Sequence, residues 1–152
     1  MNYPVALKIQ GKKCLVAGGG IIALRKIKRL IRSGARVRVV SPRVEAEIAG
    51  LALTRVIKYV KRGFKRADLK GAFLVIAATD DAAINTEIGA LASAKNILAN
   101  SITPAKQASF SNMAEFDSDG LLVAVSSSGK NVKKAVAARD RIEKFVKGGK
   151  KS

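Results

Sequence analysis

Lys13-Cys14-Leu15-Val16-Ala17-Gly18-Gly19-Gly20-Ile21-Ile22-Ala23-Leu24-Arg25-Lys26 is the stretch whose reading decides the fold. Cys14 to Ala17 is a short apolar run, as expected of a strand buried on both faces. It leads straight into three glycines. A helical period then begins: Ala23, Leu24, Ile27, Leu30 and Ile31 share one stripe, while Arg25, Lys28, Arg29 and Arg32 lie largely off it. Placed between strand and helix, Gly18-x-Gly20-x-x-Ala23 is the small-residue form of a dinucleotide fingerprint. Gly18 permits the tight turn, Gly20 lets a pyrophosphate reach the backbone, and Ala23 lets the helix sit close to the strand. The N–H groups of the first helical turn lack intrahelical partners and point at the phosphates. A glycine turn with no ligand is the plainer alternative; the agreement of spacing with context weighs against it.

Working outward, residues 1–10 alternate Val5, Leu7 and Ile9 with Ala6, Lys8 and Gln10 and predict a lead-in strand. Downstream, the first helix is predicted to end near Ser33-Gly34, and Arg36 to Val40 is a second strand, closed by Ser41-Pro42. This βαβ unit requires parallel strands. Where many dinucleotide folds end the second strand on an acidic residue that holds the ribose, this chain has Ser41, Pro42 and Arg43, which leaves NAD and NADP both open. Glu45 to Ala52 reads as a helix, Val56 to Val60 as a strand, and Phe64 to Lys70 as a turn or short helix. Ala72 to Ala78 is another buried strand, ending in Thr79-Asp80-Asp81, which can cap a helix from Ala82 to about Ser93. Ile97 to Asn100 is a fifth strand, followed by a polar loop from Ser101 to Asn112. Met113 to Asp117 and Leu121 to Ser126 form a hairpin through Ser118-Asp119-Gly120, and a basic helix runs from Asn131 to Val146.

The expected architecture is therefore α/β: a Rossmann-like parallel sheet with helices on both faces, then a short β-hairpin and a C-terminal helix. Residues 1–112 are expected to form the dinucleotide-binding domain, and residues 113–152 the hairpin and helix. Open α/β sheets bind ligands at the carboxyl ends of their strands. Three polar segments collect there: 18–23, 77–81 and 100–106.

The 152 residues suffice for one domain with a real core. A single cysteine and no histidine exclude a disulfide framework and any recognisable zinc site, and Cys14 reads as a small core residue. No apolar run is long enough to span a bilayer, the N-terminus lacks the design of a secretory signal, and the cytoplasm is the expected compartment. With 29 basic and 11 acidic residues the net charge is +18, which predicts attraction to polyanions.

Four segments together resemble the N-terminal module of siroheme synthase and the stand-alone precorrin-2 dehydrogenases. They are Tyr3-Pro4-Val5; Val16 through Lys26; Leu74-Val75-Ile76-Ala77-Ala78-Thr79-Asp80-Asp81-Ala82-Ala83-Ile84-Asn85; and Ala108-Ser109-Phe110 with Gly120 through Gly129. The resemblance implies a Rossmann fold and NAD-dependent oxidation of precorrin-2 to sirohydrochlorin, a step of siroheme, and so porphyrin-type, biosynthesis. It places NAD against Gly18, Gly20, Ile21, Ile22, Ser41, Ala77, Ala78 and Thr79. The substrate is then a polyacidic tetrapyrrole, which accounts for the positive charge. Its side of the cleft takes in Asn100, Lys106, Ser128 and Lys130; the plainer alternative for either lysine is a solvated surface residue.

In the resembled family an aspartate after the fifth strand has the key catalytic role. Counting from Asn100 and matching Ala108-Ser109-Phe110 places it at Thr103, beside Pro104, where no carboxylate is present. Asp80 and Asp81 are the nearest substitutes. Hydride transfer depends mainly on position, since the cofactor carries the chemistry. With no histidine and a threonine at this place, metal insertion as a ferrochelatase is not expected, and no metal ligand is assigned. The family continues past the last helix into a dimerisation and substrate-closing region. The resemblance then implies that half of the expected cleft is missing here or comes from a second subunit of a homodimer. A catalytically degenerate NAD- or tetrapyrrole-binding module is the alternative, with Thr103 in its favour. A basic nucleic-acid-binding domain is a third reading, but five Phe, two Tyr and no recognised motif give stacking recognition little support, so no specific nucleic acid is expected.

Overall fold

The computed structural model describes residues 2–103 and 108–148. The chain divides into two compact units, Ala6–Phe110 and a second formed by residues up to Val5 together with those from Ser111 onward.

The larger unit runs β1 (Lys13–Ala17), α1 (Ile21–Arg32), β2 (Arg36–Val40), α2 (Ala46–Leu53), β3 (Lys58–Val60), a 3-10 turn (Arg66–Leu69), β4 (Leu74–Ala77), α3 (Ala82–Ala94) and β5 (Leu98–Ser101). The five strands form one parallel sheet in the order β3-β2-β1-β4-β5. Alternation along each strand divides the core in two. On one face Cys14, Val16, Val37, Val39, Leu74 and Ile76 pack against Ala23, Ile27 and Leu30 of α1 and Ile48 of α2. On the other, Leu15, Ala17, Val40, Val75, Ala77 and Ala99 meet Ile88 and Ala92 of α3 and Leu69 of the 3-10 turn. Burying a side chain such as Ile27 or Ile88 contributes roughly 2 kcal/mol.

The two faces are not equally covered. The β3-to-β4 crossover carries only the four-residue 3-10 turn, where α1 and α2 serve the other face. On this thinly covered side β2 presents Arg36 and Arg38, and Arg38 pairs in register with Leu15 and Lys58. Charge thus stands where an added helix would demand apolar residues.

Helix α1 stops where the sequence predicts. Ser33 caps it, Gly34 takes the left-handed conformation at φ +73°, and Arg29 and Arg32 sit in the last turn, where the helix dipole favours cations. Asp81 caps α3, its carboxylate accepting from the N–H groups of Ala83 and Ile84 at 2.8 and 3.2 Å.

Two expectations need correction. No strand forms among residues 2–10: Val5 and Leu7 are exposed, and only Ile9 is buried. Both flanks of β1 are already occupied by β2 and β4, and alternation without a ladder partner does not make a strand. The third strand begins at Lys58, not Val56, because the N–H groups of Val56 and Ile57 are taken by the Leu51 carbonyl at the end of α2.

In the smaller unit β6 (Ala114–Ser118) and β7 (Leu121–Val125) pair antiparallel. Asp119 and Gly120 are both left-handed, at φ 52° and 77°, as a two-residue hairpin turn requires. Helix α4 (Val132–Gly148) packs on this hairpin, with Phe116 and Ala135 buried. Arg139 Nη1 donates to the Glu115 carbonyl at 3.2 Å, and Asn131 Oδ1 accepts from the Lys134 N–H at 2.9 Å. Among the described residues no helix is long and apolar enough to cross a membrane.

Candidate functional site

The chain leaves β1 toward β2 and β3, then crosses back to add β4 on the other side of β1. That reversal opens a crevice at the carboxyl ends of β1 and β4. The glycine turn lies there, and its three glycines do three different things. Gly18 sits at φ +115°, and a Cβ on it would stand 2.0 Å from the Ala78 carbonyl oxygen and 2.9 Å from the Thr79 nitrogen. A Cβ on Gly19 would meet the Arg43 carbonyl oxygen at 2.3 Å and Val44 Cγ1 at 2.6 Å. Gly20 is the reverse case, because a Cβ there would meet nothing within 4 Å. Sequence reasoning assigned no role to Gly19; the structure shows it lets the segment after β2 close on the turn, where the Glu45 N–H donates to its carbonyl at 2.8 Å.

Gly20 is also the N-cap of α1, and no side chain caps that helix. The helix therefore starts on bare backbone facing open space. Its first N–H groups are available and no acidic residue stands in its first turn, which suits an anion. Ile21 and Ile22, 59% and 48% exposed, add an apolar rim. The structure thus brings Gly18, Gly20, Ile21 and Ile22 together with Ala77, Ala78 and Thr79 at one mouth. Ser41 bounds it on the β2 side, where the Gly18 N–H donates to the Val40 carbonyl at 3.0 Å. Ser41 itself is buried; its hydroxyl donates to the Arg43 carbonyl, and its own carbonyl accepts from Tyr59 Oη at 3.0 Å.

On the β4 side the organising residue is Asn85, which is 1% exposed. Its Oδ1 accepts from the Thr79 N–H at 3.0 Å and the Thr79 hydroxyl at 2.8 Å. Its Nδ2 donates to the Thr79 carbonyl at 2.9 Å and to Thr103 Oγ1 at 3.0 Å. One buried amide therefore ties the end of β4 to the segment after β5. Thr103 is further fixed by its N–H, which donates to Ser101 Oγ at 3.2 Å. Asn85 is the organising residue of this wall that sequence reasoning did not single out. The available signal was a polar side chain on the inward stripe of α3, four residues after the cap. Of the two carboxylates nearby, Asp81 is committed to capping, while Asp80 is exposed.

Asn100 is buried, and its side chain is used internally: Oδ1 accepts from Lys26 Nζ at 3.1 Å, and Nδ2 donates to the Phe110 carbonyl at 2.9 Å. Burial, and then the neighbouring Arg29, pushes the Lys26 ammonium below its ordinary pKa. Ser109 clamps β5 alongside, accepting from the Ala99 N–H at 2.7 Å through Oγ. Lys106 lies outside the described residues. Ser128 and Lys130 belong to the smaller unit, where the Ser128 N–H donates to Ser126 Oγ at 3.0 Å and the Lys130 N–H to the Ser127 carbonyl at 3.1 Å. Among the described residues no group of three or more His, Cys, Asp or Glu could hold a metal ion.

A parallel sheet in this order, with a bare glycine turn at its reversal point, defines a dinucleotide-binding Rossmann domain. The family model for NAD(P)-binding matches residues 5–114. A precorrin-2 dehydrogenase of Bacillus subtilis (strain 168) is 37% identical over 145 residues, covering 95% of this chain and 89% of the relative. The solved structure of "SirC, precorrin-2 dehydrogenase" superimposes with a TM-score of 0.80 at 28% identity, over 97% of this chain and 71% of that one. The siroheme synthase of Thioalkalivibrio sulfidiphilus is 38% identical over 144 residues, 95% of this chain but 29% of the relative. The chain thus spans about three-tenths of the siroheme synthases it matches. It belongs to the precorrin-2 dehydrogenase family, and its larger unit is that family's NAD(P)-binding domain.

Proposed function

We propose that this chain is an NAD-dependent precorrin-2 dehydrogenase, forming sirohydrochlorin for siroheme synthesis in the cytoplasm. The observation that carries the proposal is the contrast within the turn: Gly18 is locked against β4 while Gly20 faces empty space at an uncapped helix start. That arrangement fits a pyrophosphate. The first N–H groups of α1 would hold it, with Ile21 and Ile22 against the rest of the dinucleotide and Ala77, Ala78 and Thr79 lining the opposite wall. When bound, the nicotinamide supplies hydride acceptance. The protein's contribution is position: Asn85 holds Thr79 and Thr103 at fixed places around the mouth. Oxidation of the tetrapyrrole also releases a proton. Thr103 cannot take it as a carboxylate would, which leaves Asp80 or solvent. Asn100 acts by holding the Phe110 carbonyl; the contacts proposed for the substrate carboxylates are Lys106 and, on the smaller unit, Ser128 and Lys130. A homodimer is part of the reading, since the smaller unit leaves Leu121, Leu122, Val132 and Phe145 at least 61% exposed.

Mixing the protein with precorrin-2 and NAD tests this directly. NADH absorbance should rise together with the sirohydrochlorin spectrum. Thr103→Asp should raise the rate, because a carboxylate there keeps an acceptor for Asn85 Nδ2 and adds a base. An unchanged rate in an active protein would mean the base acts elsewhere. NAD binding without NADH formation would favour the second reading, a binding module without turnover, which rests on the absence of a carboxylate at Thr103.

A further inference from the structure

The opposite end of the same sheet carries a second concavity that the dehydrogenase reading does not use. It has a volume of about 290 Å³ and is bounded by Lys13, Arg36, Arg38, Lys58, Lys70 and Asp68, over an apolar floor that includes Cys14, Leu15 and Ala72. These residues stand at the amino ends of β1, β2 and β3 and just before β4. In a parallel sheet that places the concavity at the end remote from the glycine turn, ~15 Å away along a five-residue strand.

Five basic side chains there surround a single carboxylate, and that carboxylate is already saturated. Asp68 is 4% exposed; it accepts from Arg62 Nη1 and Nη2 at 2.8 and 2.7 Å, from Arg38 Nη2 at 2.9 Å and from the Lys65 N–H at 2.8 Å. It has nothing left for Lys13, Lys58 or Lys70, which have no carboxylate partner among the described residues. Arg38 Nε is shut off from solvent and has no acceptor among the described residues. The protein supplies donors here in excess of its own acceptors.

The cause lies in the fold. The short 3-10 crossover leaves this corner of the sheet without a covering helix, and an apolar floor under converging cations concentrates their field. Like charges gathered around one concavity repel one another, and a ligand with several anionic oxygens relieves that repulsion while meeting the ammonium groups of Lys13, Lys58 and Lys70. We propose that this concavity is a second binding site, distinct from the dinucleotide mouth, for a compact small-molecule polyanion bearing two or more phosphate or carboxylate groups.

The test is calorimetric titration of the full chain with pyrophosphate and, separately, citrate, at constant ionic strength, with and without saturating NAD. At least one probe should bind at one site in the presence of NAD. Lys58→Glu combined with Lys70→Glu should weaken that binding about tenfold or more, since each reversal exchanges an attraction for a repulsion. Both lysines are exposed, so the double variant should keep its melting temperature and its NAD affinity. A preference for pyrophosphate assigns the site to phosphates, and a preference for citrate to polycarboxylates. Absence of heat with both probes, affinity unmoved in the double variant, or binding abolished by NAD would each overturn the proposal. None of these bears on the dehydrogenase reading, which stands on the other end of the sheet.

Discussion

The two ends of the parallel sheet are built from opposite materials. At the carboxyl end the working surface is backbone: three glycines, an uncapped helix start and the carbonyl of Ala78. At the amino end it is long side chains, Lys13, Arg36, Arg38, Lys58 and Lys70, gathered around Asp68. Backbone surfaces are rigid and leave no room for change, because their spacing is set by the strands themselves. Surfaces of lysine and arginine adapt, and their cost is electrostatic. The first end can therefore be broken by adding one methyl group, the second only by changing charge.

The largest effect is expected from Gly18→Ala. The new methyl would stand 2.0 Å from a strand-end carbonyl at a left-handed φ, so the β1–β4 junction must move. A loss of about 3 kcal/mol or more is expected, read as a lower urea midpoint. A midpoint equal to that of the parent protein would show that the Ala78 backbone yields freely.

Asp68→Asn comes next and probes the other end. It leaves the guanidinium groups of Arg38 and Arg62 facing each other without a counter-charge. Both are a third or more exposed, so the loss is about 1–2 kcal/mol. The Arg62 hydrogen bonds hold the Asp68 carboxyl below its ordinary pKa. Its contribution is thus fully present above the ordinary carboxylate range and lost as pH falls through the lower folded value. The stability gap between parent and variant should be constant near neutrality and close in acid. A gap that widens in acid would contradict the assignment.

Gly20→Ala is the smallest change in stability and the sharpest control. It is the same substitution as the first, two residues away, into open space. Stability should move by less than about 1 kcal/mol, while NAD affinity falls about tenfold as the methyl holds off the pyrophosphate. Equal NAD affinity in parent and variant would remove the glycine turn from the cofactor site.

Much of this was legible in the chain itself. The strand–glycine–helix run, the end of α1 at Ser33-Gly34, the Asp81 cap and the Asp119-Gly120 hairpin all rest on interactions a few residues long. Local spacing is sufficient to specify them. The alternation of Val5, Leu7 and Ile9 was equally clear, yet the described residues 2–10 formed no strand, because pairing needs a partner and β1 had none to spare.

The amino-acid sequence by itself determined the parallel α/β class, the position of the open glycine turn and the excess of positive charge. Period, small residues and charge are properties of neighbouring positions. Only the tertiary structure decided that Gly19 must lack a side chain for Arg43 and Val44 to close, that Asn85 joins Thr79 to Thr103, and that the basic residues of three strands meet over an uncovered corner of the sheet. Those are contacts between residues far apart along the chain. Their proximity follows from strand order and crossover length, which periodicity does not encode.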